Sequence, residues 1–222
     1  MLYAIGEIVL VVIGILIALS INNWNEERKV EIFEHKILNE LQVSLQRNIQ
    51  ALNRGINWNK DIINSCQIIL RHFENERSYV DSLDRHFSNS LAWFYPSLDN
   101  NAYESLKSYG LHLLKNDSIR DALGDIYEYK WIEKVNTRQE EYFYNTVAPI
   151  LTDLFESNEF GGERFDAKMK PYDYSELRNS RKYNHILKTL ISNRKLQINT
   201  YENALKSRIN LKQMIETELN IE

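Results

Sequence analysis

The sequence predicts an all-α protein with one N-terminal transmembrane helix, followed by an extramembrane helical bundle with long first, middle and last helices. Three observations predict it. The first two dozen of the 222 residues are densely apolar, later apolar residues recur at helical spacing, and only 7 Gly and 3 Pro interrupt the chain. We therefore expect a transmembrane anchor at residues 1–25 and a helical bundle domain at residues 26–222.

The anchor is predicted from residue 2 to about residue 24. Residues 8–21 read IVLVVIGILIALSI, and extending this run to residue 2 makes a helix of roughly 30 Å, which matches the thickness of membrane hydrocarbon. Tyr3 and Trp24 stand at its two ends, as membrane-interface aromatics do. A cleaved signal peptide is the alternative, because Ala18-Leu19-Ser20 resembles a cleavage site. However, no basic segment precedes the block, and Glu7 stands where positive charge is expected.

One face of this helix carries Glu7, Gly14 and Ala18. Gly14 and Ala18 form a small-xxx-small pair, which allows another helix to approach closely. The hypothesis is that this face packs against a second membrane helix, with Glu7 hydrogen-bonded across the contact. The alternative is that Glu7 reaches the lipid headgroups and the glycine has no special role.

A long helix is predicted to continue beyond the anchor, because apolar residues follow a heptad pattern. Steps of four and three residues connect Leu45, Ile49, Leu52, Ile56, Asn59, Ile63, Cys66, Leu70 and Phe73. Asn59 either sets the register of a coiled coil or lies at a wet point of a bundle. We expect this helix to pair antiparallel with the last one.

The remaining elements follow from caps and breakers. A short helix is expected at residues 82–93 before Pro96, and another is expected to end at Gly110. Asp117 or Ser118 should begin the long middle helix, which Pro149 kinks or ends. Residues 156–180 are predicted to be a loop, and residues 181–219 the last helix. The apolar stripe of this last helix is predicted at Tyr183, Leu187, Leu190, Ile198, Tyr201, Leu205 and Ile209.

The search for chemistry yields no catalytic, cofactor or metal site. The histidines do not pair at helical spacing, and no glycine-rich phosphate loop or nucleophile elbow occurs. The single cysteine, Cys66, excludes an intrachain disulfide, and the net charge of −4 gives no basic surface for nucleic acid. We therefore expect a non-enzymatic protein without cofactors or a nucleic-acid partner.

Aromatic residues are dense in the middle helix, at Tyr127, Tyr129, Trp131, Tyr142, Phe143 and Tyr144. Packing in the core is the ordinary explanation. The sharper hypothesis is a patch formed by Tyr127, Trp131 and Tyr142 that binds a ligand or a partner protein.

Residues 2–29, LYAIGEIVLVVIGILIALSINNWNEERK, resemble a family of uncharacterised bacterial single-span membrane proteins. The shared anchor signature is YAIGEIVLVVIGILIAL-x-INNWNE. A second similarity covers residues 102–110, AYESLKSYG, and residues 113–123, LLKNDSIRDAL. The resemblance implies a helical domain of unknown function at the bacterial inner membrane, and it carries no catalytic residues.

The orientation of the domain is approached from two sides. Arg28, Lys29 and Lys36 follow the helix, so the positive-inside rule alone would place the domain in the cytoplasm. Members of the family usually have a basic segment ahead of the tyrosine, whereas this chain starts at Met1 just before it. The resemblance therefore implies an extracytoplasmic domain, which is our expectation.

The functional hypothesis is a membrane-anchored binding or sensing module that acts through another membrane protein or through self-association. The alternative is a structural scaffold subunit of a cell-envelope complex. An enzyme with an unrecognised site is the third hypothesis.

Overall fold

The fold is taken from a computed structural model that describes residues 2–156 and 167–221. At positions 2–6, 8, 9 and 221 only the backbone is described. The described residues form helices and no strand apart from an isolated bridge between Phe155 and Pro171, so the predicted all-α class is confirmed.

The helical segments are numbered in chain order. They are α1 (Leu2–Glu74), α2 (Ser82–Ser90), α3 (Asn101–Tyr109), a 3₁₀ turn (Leu111–Leu113), α4 (Asp117–Tyr127), α5 (Trp131–Tyr142), a π-helical turn (Phe143–Val147), α6 (Ala148–Leu154), α7 (Tyr174–Asn179) and α8 (Arg181–Ile221).

The two long helices α1 and α8 are antiparallel, as predicted. Near the start of the buried part of α1, Gln42 donates a hydrogen bond of 3.1 Å to Glu216, close to the end of α8. Farther along α1, Cys66 shares a core with Leu187, which lies near the beginning of α8. The remaining helices pack on this pair and complete the bundle.

Two buried clusters flank a smaller one along the α1–α8 pair. The larger cluster joins the end of α1 to α2, α6, α7 and the beginning of α8. The other joins residues 37–45 of α1 to α3, α4 and the end of α8. Between them lies a small group made by Leu52, Ile56 and Tyr201, and at this level the fold leaves room for a cleft.

The predicted seam of α1 is buried, apart from Ile49 and Ile63, which are half-buried. Asn59 is buried in it, but its side-chain amide donates to the carbonyl of Gly55 in the same helix at 2.9 Å. No described residue donates to its side-chain oxygen. Among the described residues, Asn59 therefore makes no cross-helix bond of the kind that sets a register.

The prediction of one long middle helix is wrong. The chain forms α4, α5, the π-helical turn and α6 instead, with a break after Tyr127. The Glu128 carboxylate accepts hydrogen bonds from the Tyr103 hydroxyl at 2.8 Å and from the Lys107 ammonium at 2.6 Å. These bonds hold the end of α4 against α3. After the break, α5 packs on α8 as a separate helix.

Pro149 changes the geometry of the helical turn that precedes it. Because proline has no N–H, the preceding turn widens, and the Ala148 N–H donates to the Phe143 carbonyl five residues back. The helix then continues as α6 to Leu154, so Pro149 does not end it.

The predicted loop at 156–180 is partly helical. Residues 157–166 lie outside the described residues, and α7 occupies Tyr174–Asn179. The Asp173 carboxylate accepts hydrogen bonds from the N–H groups of Ser175 and Glu176, which is the capping geometry that begins a helix.

The N-terminal part of α1 leaves the bundle as a free helix. From residue 10 to residue 29 every side chain is exposed, and the first buried one is Glu34. The helix crosses residue 25, the predicted boundary, without a break. In the part of the chain that the structure describes, no helix has a stretch that is both long enough and apolar enough to cross a membrane.

Candidate functional site

A cleft of about 530 Å³ opens beside α8, between the α4–α5 junction and the segment that follows α2. Its size falls within the range of small-molecule sites. The lining residues are Pro96, Leu98, Asn100, Asp125, Ile126, Tyr127, Tyr129, Lys130, Trp131, Ile132, Glu133, Asn136, Thr200, Asn203, Ala204, Ser207 and Arg208.

The break between α4 and α5 shapes the mouth of the cleft. Tyr127, the last residue of α4, stacks on Tyr103 of α3 with ring centroids 4.5 Å apart and planes 7° from parallel. Two residues on, the Tyr129 carbonyl accepts from the Trp131 N–H at 2.9 Å, which restarts the chain as α5. Tyr129 and Trp131 stay 65% and 60% exposed, so two aromatic faces are available at the mouth.

Asn136 is the hub of a polar network along the cleft. Its side-chain oxygen accepts from the Tyr201 hydroxyl at 2.6 Å and from the Gln197 amide at 3.1 Å. Its main-chain carbonyl accepts from the Tyr95 hydroxyl at 3.2 Å. Because the oxygen is already used, the side-chain nitrogen of Asn136 is the part with hydrogen-bonding capacity left for a ligand.

Arg208 is the buried cation of the cleft, only 4% exposed. One of its terminal nitrogens donates to the Ala204 carbonyl at 3.3 Å, a long bond, and its Nε has no acceptor among the described residues. No described carboxylate lies within ion-pair distance of it. Burial lowers the pKa of the guanidinium, and the nearby Tyr127 opposes that shift. Arginine nevertheless stays charged in proteins.

Arg194 offers a contrast within the same helix. It is buried to the same extent, 4% exposed, and its Nε also has no acceptor among the described residues. Its terminal nitrogens, however, donate to the Gln197 side-chain oxygen at 2.7 Å and to the Ala92 carbonyl at 2.9 Å. Its cavity, shared with Trp93 and Phe143, is only about 10 Å³. Neutral oxygens therefore hold Arg194 in place, and nothing larger than water fits beside it.

The structure divides the predicted aromatic patch. Tyr127 and Trp131 both line the cleft, whereas Tyr142 is half-buried and packs against the larger core, so the three residues do not form one surface. Trp131 and Tyr142 lie at the two ends of α5, about 16 Å apart along the helix axis, so only Trp131 reaches the cleft. Of the neighbouring aromatics, Phe143 is buried with its ring 4.9 Å from that of Trp93, and Tyr144 is exposed.

The predicted membrane-helix residues lie far from the cleft. Glu7 and Ala18 are exposed, and a Cβ placed on Gly14 would meet nothing within 4 Å. Trp24 is exposed, with the Arg28 guanidinium 5.9 Å from the centre of its ring. The side chain of Tyr3 lies outside the described residues.

Sequence reasoning missed Arg208, although a signal was present. Steps of four and three residues connect the buried or half-buried positions Tyr183, Leu187, Leu190, Arg194, Gln197, Tyr201, Ala204, Arg208, Leu211 and Ile215. The predicted stripe instead passed over Arg194 and Gln197, and after Tyr201 it followed apolar residues to Ile209, which is exposed. A polar residue that keeps the heptad register would have marked the site.

The described residues offer no cluster of metal ligands. Among them, no three His, Cys, Asp or Glu side chains come together as a metal site requires. Burial raises the pKa of the Cys66 thiol to about 12, and this buried group has little thiolate character.

Comparisons with known proteins give one result. The model of a family described as a family of unknown function (DUF6090) matches residues 7–155. None of the curated proteins and none of the solved structures compared with the chain matches it. The match confirms the predicted link to an uncharacterised family, while the anchor signature and the membrane location stay predictions.

Proposed function

The chain belongs to the family of unknown function DUF6090, and we propose that this protein is a membrane-anchored, non-enzymatic binding or sensing module. It acts through another membrane protein or through a second copy of itself. The observation that carries the proposal is the continuity of α1, which runs from an exposed apolar segment into the core of the bundle.

The exposed segment supports the lipid contact. From Leu10 to Ile21 the residues are nearly all apolar, and no described part of the chain covers them. Soluble proteins rarely leave such a surface open, because its exposure to water is unfavourable. The apolar run in the sequence begins at Leu2 and ends beside Trp24, a length that suits a membrane with the aromatics at its two interfaces.

The face formed by Glu7, Gly14 and Ala18 supports association within the membrane. Space is open around Gly14, so a second helix can approach its backbone. A hydrogen-bonding partner on this face would stabilise the Glu7 carboxylate inside the membrane. Because α1 is one helix, a change in this contact would reach the bundle without crossing a flexible linker.

We place the protein in the bacterial inner membrane with the bundle outside the cytoplasm. Reporter fusions test this orientation. A C-terminal alkaline phosphatase fusion should be active, and the matching fusion to a cytoplasmic fluorescent protein should be dark. The reverse pattern would put the bundle in the cytoplasm.

Membrane fractionation of the full-length chain tests the anchor. The protein should stay in the pellet after alkaline extraction and dissolve only in detergent. Replacing Val12 and Leu16 together by Asp should release it, because charge at the centre of a spanning helix costs about 3 kcal/mol per residue. Release of the unaltered protein by alkali would refute the anchor.

Crosslinking in membranes then tests the packing face. Glu7→Leu and Gly14→Leu should each weaken self-association or capture of the partner, while Leu16→Ile on the opposite face serves as the matched control. Equal crosslinking in all three variants would remove this face from the proposal. Stoichiometric recovery with several envelope proteins in mild detergent would favour the scaffold alternative.

A further inference from the structure

We propose that the cleft beside α8 binds a small organic monoanion, a carboxylate on a flat aromatic or apolar body, with the carboxylate held by Arg208. This inference rests on the proposed function, because it names the class of ligand that the bundle would sense. Four features of the cleft carry it: a buried cation, the charges at the rim, exposed aromatic rings and an amide nitrogen without an acceptor.

The first feature is the state of Arg208. A buried guanidinium without a charged partner is unfavourable, and the cost falls when an anion enters. Its bond to the Ala204 carbonyl is long, 3.3 Å, and no described carboxylate pairs with it. Its Nε has no acceptor among the described residues but is itself buried, so the terminal nitrogens are the donors that a ligand would meet first. The guanidinium group presents its N–H donors in one plane, so the two oxygens of a carboxylate can accept from it side by side.

The second feature limits the charge of the ligand to one. Besides Arg208, the charged residues that line the cleft are Asp125, Lys130 and Glu133. Lys130 and Glu133 pair with each other at 3.7 Å, and Asp125 leaves one negative charge at the rim. Asp125 repels any anion, but it repels a doubly charged phosphate about twice as strongly as a monoanion, so the single charge of Arg208 suits a monoanion better. The balance therefore favours a carboxylate.

The third feature is the aromatic mouth. The rings of Tyr129 and Trp131 are largely exposed, and the side chains of Leu98 and Ile132 add apolar wall. Aromatic rings in this arrangement favour a flat body that stacks or packs edge to face. The volume of about 530 Å³ is sufficient for one or two rings with a short acidic side chain.

The fourth feature gives the cleft polar specificity. Tyr201 and Gln197 donate to the side-chain oxygen of Asn136 and so fix the orientation of its amide. The amide nitrogen is then the donor left for a second polar group on the ligand. Such preorganisation favours affinity, because little side-chain freedom is lost on binding.

Isothermal titration of the purified full-length chain with indole-3-acetate and benzoate tests the inference. We expect saturable binding of at least one of the two carboxylates, and none of the neutral benzamide. Arg208→Met should weaken binding at least about tenfold, and Trp131→Ala should weaken it less, because it removes only packing.

Thermal unfolding separates a binding role of Arg208 from a structural one. Without ligand, Arg208→Met should unfold at the same or a higher temperature, because removing an unpaired buried charge relieves a cost. The ligand-induced rise in melting temperature should disappear in the same variant. Arg194→Met is the matched control, which should unfold at a lower temperature. Because Arg194 reaches the cleft only through Gln197 and Asn136, it should weaken carboxylate binding less than Arg208→Met does.

Three outcomes would overturn the inference: no carboxylate binding by the unaltered chain, unchanged binding by Arg208→Met, or tighter binding of inorganic phosphate than of either carboxylate. Each is distinct from failure of the proposed function. If the chain binds no carboxylate but stays in alkali-extracted membranes, the ligand inference fails and the proposed anchor stands. If the chain binds a carboxylate but is released by alkali, the anchor fails and the ligand inference stands.

Discussion

The two ends of α1 are equally helical but are covered by different surroundings. Residues 37–73 alternate buried and exposed positions, and the buried ones pack on the other helices of the chain. Residues 10–21 are almost entirely apolar and exposed on every side. A stripe of apolar residues belongs to a helix that meets protein on one face, and an all-round apolar surface belongs to a helix covered by something outside the chain.

The difference also predicts where substitutions should change the stability of the protein. In residues 37–73 of α1, each buried side chain has fixed neighbours, so its loss leaves a cavity or an unpaired group. In the exposed part, the side chains have no such neighbours in the described structure, so their loss leaves neither a cavity nor an unpaired group. Variants of the same residue type in the two parts therefore make matched pairs.

The largest difference is expected from leucine truncation. Leu45→Ala should lower the free energy of unfolding by about 3 kcal/mol, since Leu45 is fully buried and a cavity would remain. Leu16→Ala should change it by less than about 0.5 kcal/mol, because Leu16 is exposed. Denaturant unfolding of the full-length chain in detergent, followed by circular dichroism, measures both. Equal losses would mean that the exposed segment packs on the bundle.

Two buried asparagines sharpen the comparison within the packed part. Asn48 donates to the Asp99 carbonyl at 2.9 Å and accepts from the Asp99 N–H at 2.6 Å, so Asn48→Ala should cost about 2 kcal/mol. The side-chain oxygen of Asn59 has no donor among the described residues, and Asn59→Leu should stabilise the bundle by about 1 kcal/mol. The same unfolding assay applies, and a loss of stability in Asn59→Leu would mean that its side-chain oxygen has a partner.

Two of the glycines of α1, Gly55 and Gly14, make a third pair. A Cβ on Gly55 would come within 3.0 Å of the ring of Tyr201, which is held by Asn136 and cannot easily move. Gly55→Ala should therefore destabilise the bundle by about 1 kcal/mol, despite the better helix propensity of alanine. Gly14→Ala meets no atom and should cost nothing. Melting temperatures of the two variants decide the point.

The smallest effect is a pH dependence where α1 meets α2. Burial, helped by Arg85, lowers the pKa of His86, which lies 3.2 Å from the Ser65 hydroxyl. The unfolded chain therefore binds more protons below its ordinary pKa of about 6.5, and stability falls as the pH drops through that value. We expect the melting temperature to fall by less than about 3 °C between pH 7 and pH 5.

His86→Gln should flatten that dependence. Burial also lowers the pKa of His72, so His72→Gln should remove a separate share of the slope. An unchanged slope in the double variant would assign the effect to other groups.

The sequence alone was sufficient for the all-α class, the long first and last helices and their antiparallel packing. These features depend on local patterns, namely apolar spacing and the scarcity of Gly and Pro, which act over a few turns. The end of α3 at Gly110 follows in the same way, because its φ of 115° is a conformation that favours glycine. Both parts of α1 were likewise visible as different hydropathy patterns.

Only the tertiary structure decided the break of the middle helix and the cleft that it creates. The break depends on Tyr103 and Lys107 reaching Glu128, and the polar network depends on Asn136 meeting Tyr201, contacts between residues far apart in the chain. Whether a polar residue in a heptad is exposed or buried is set by such partners and not by its own neighbours in sequence. The sequence therefore showed Arg208 only as an arginine, and its burial followed only from the packing of the helices around it.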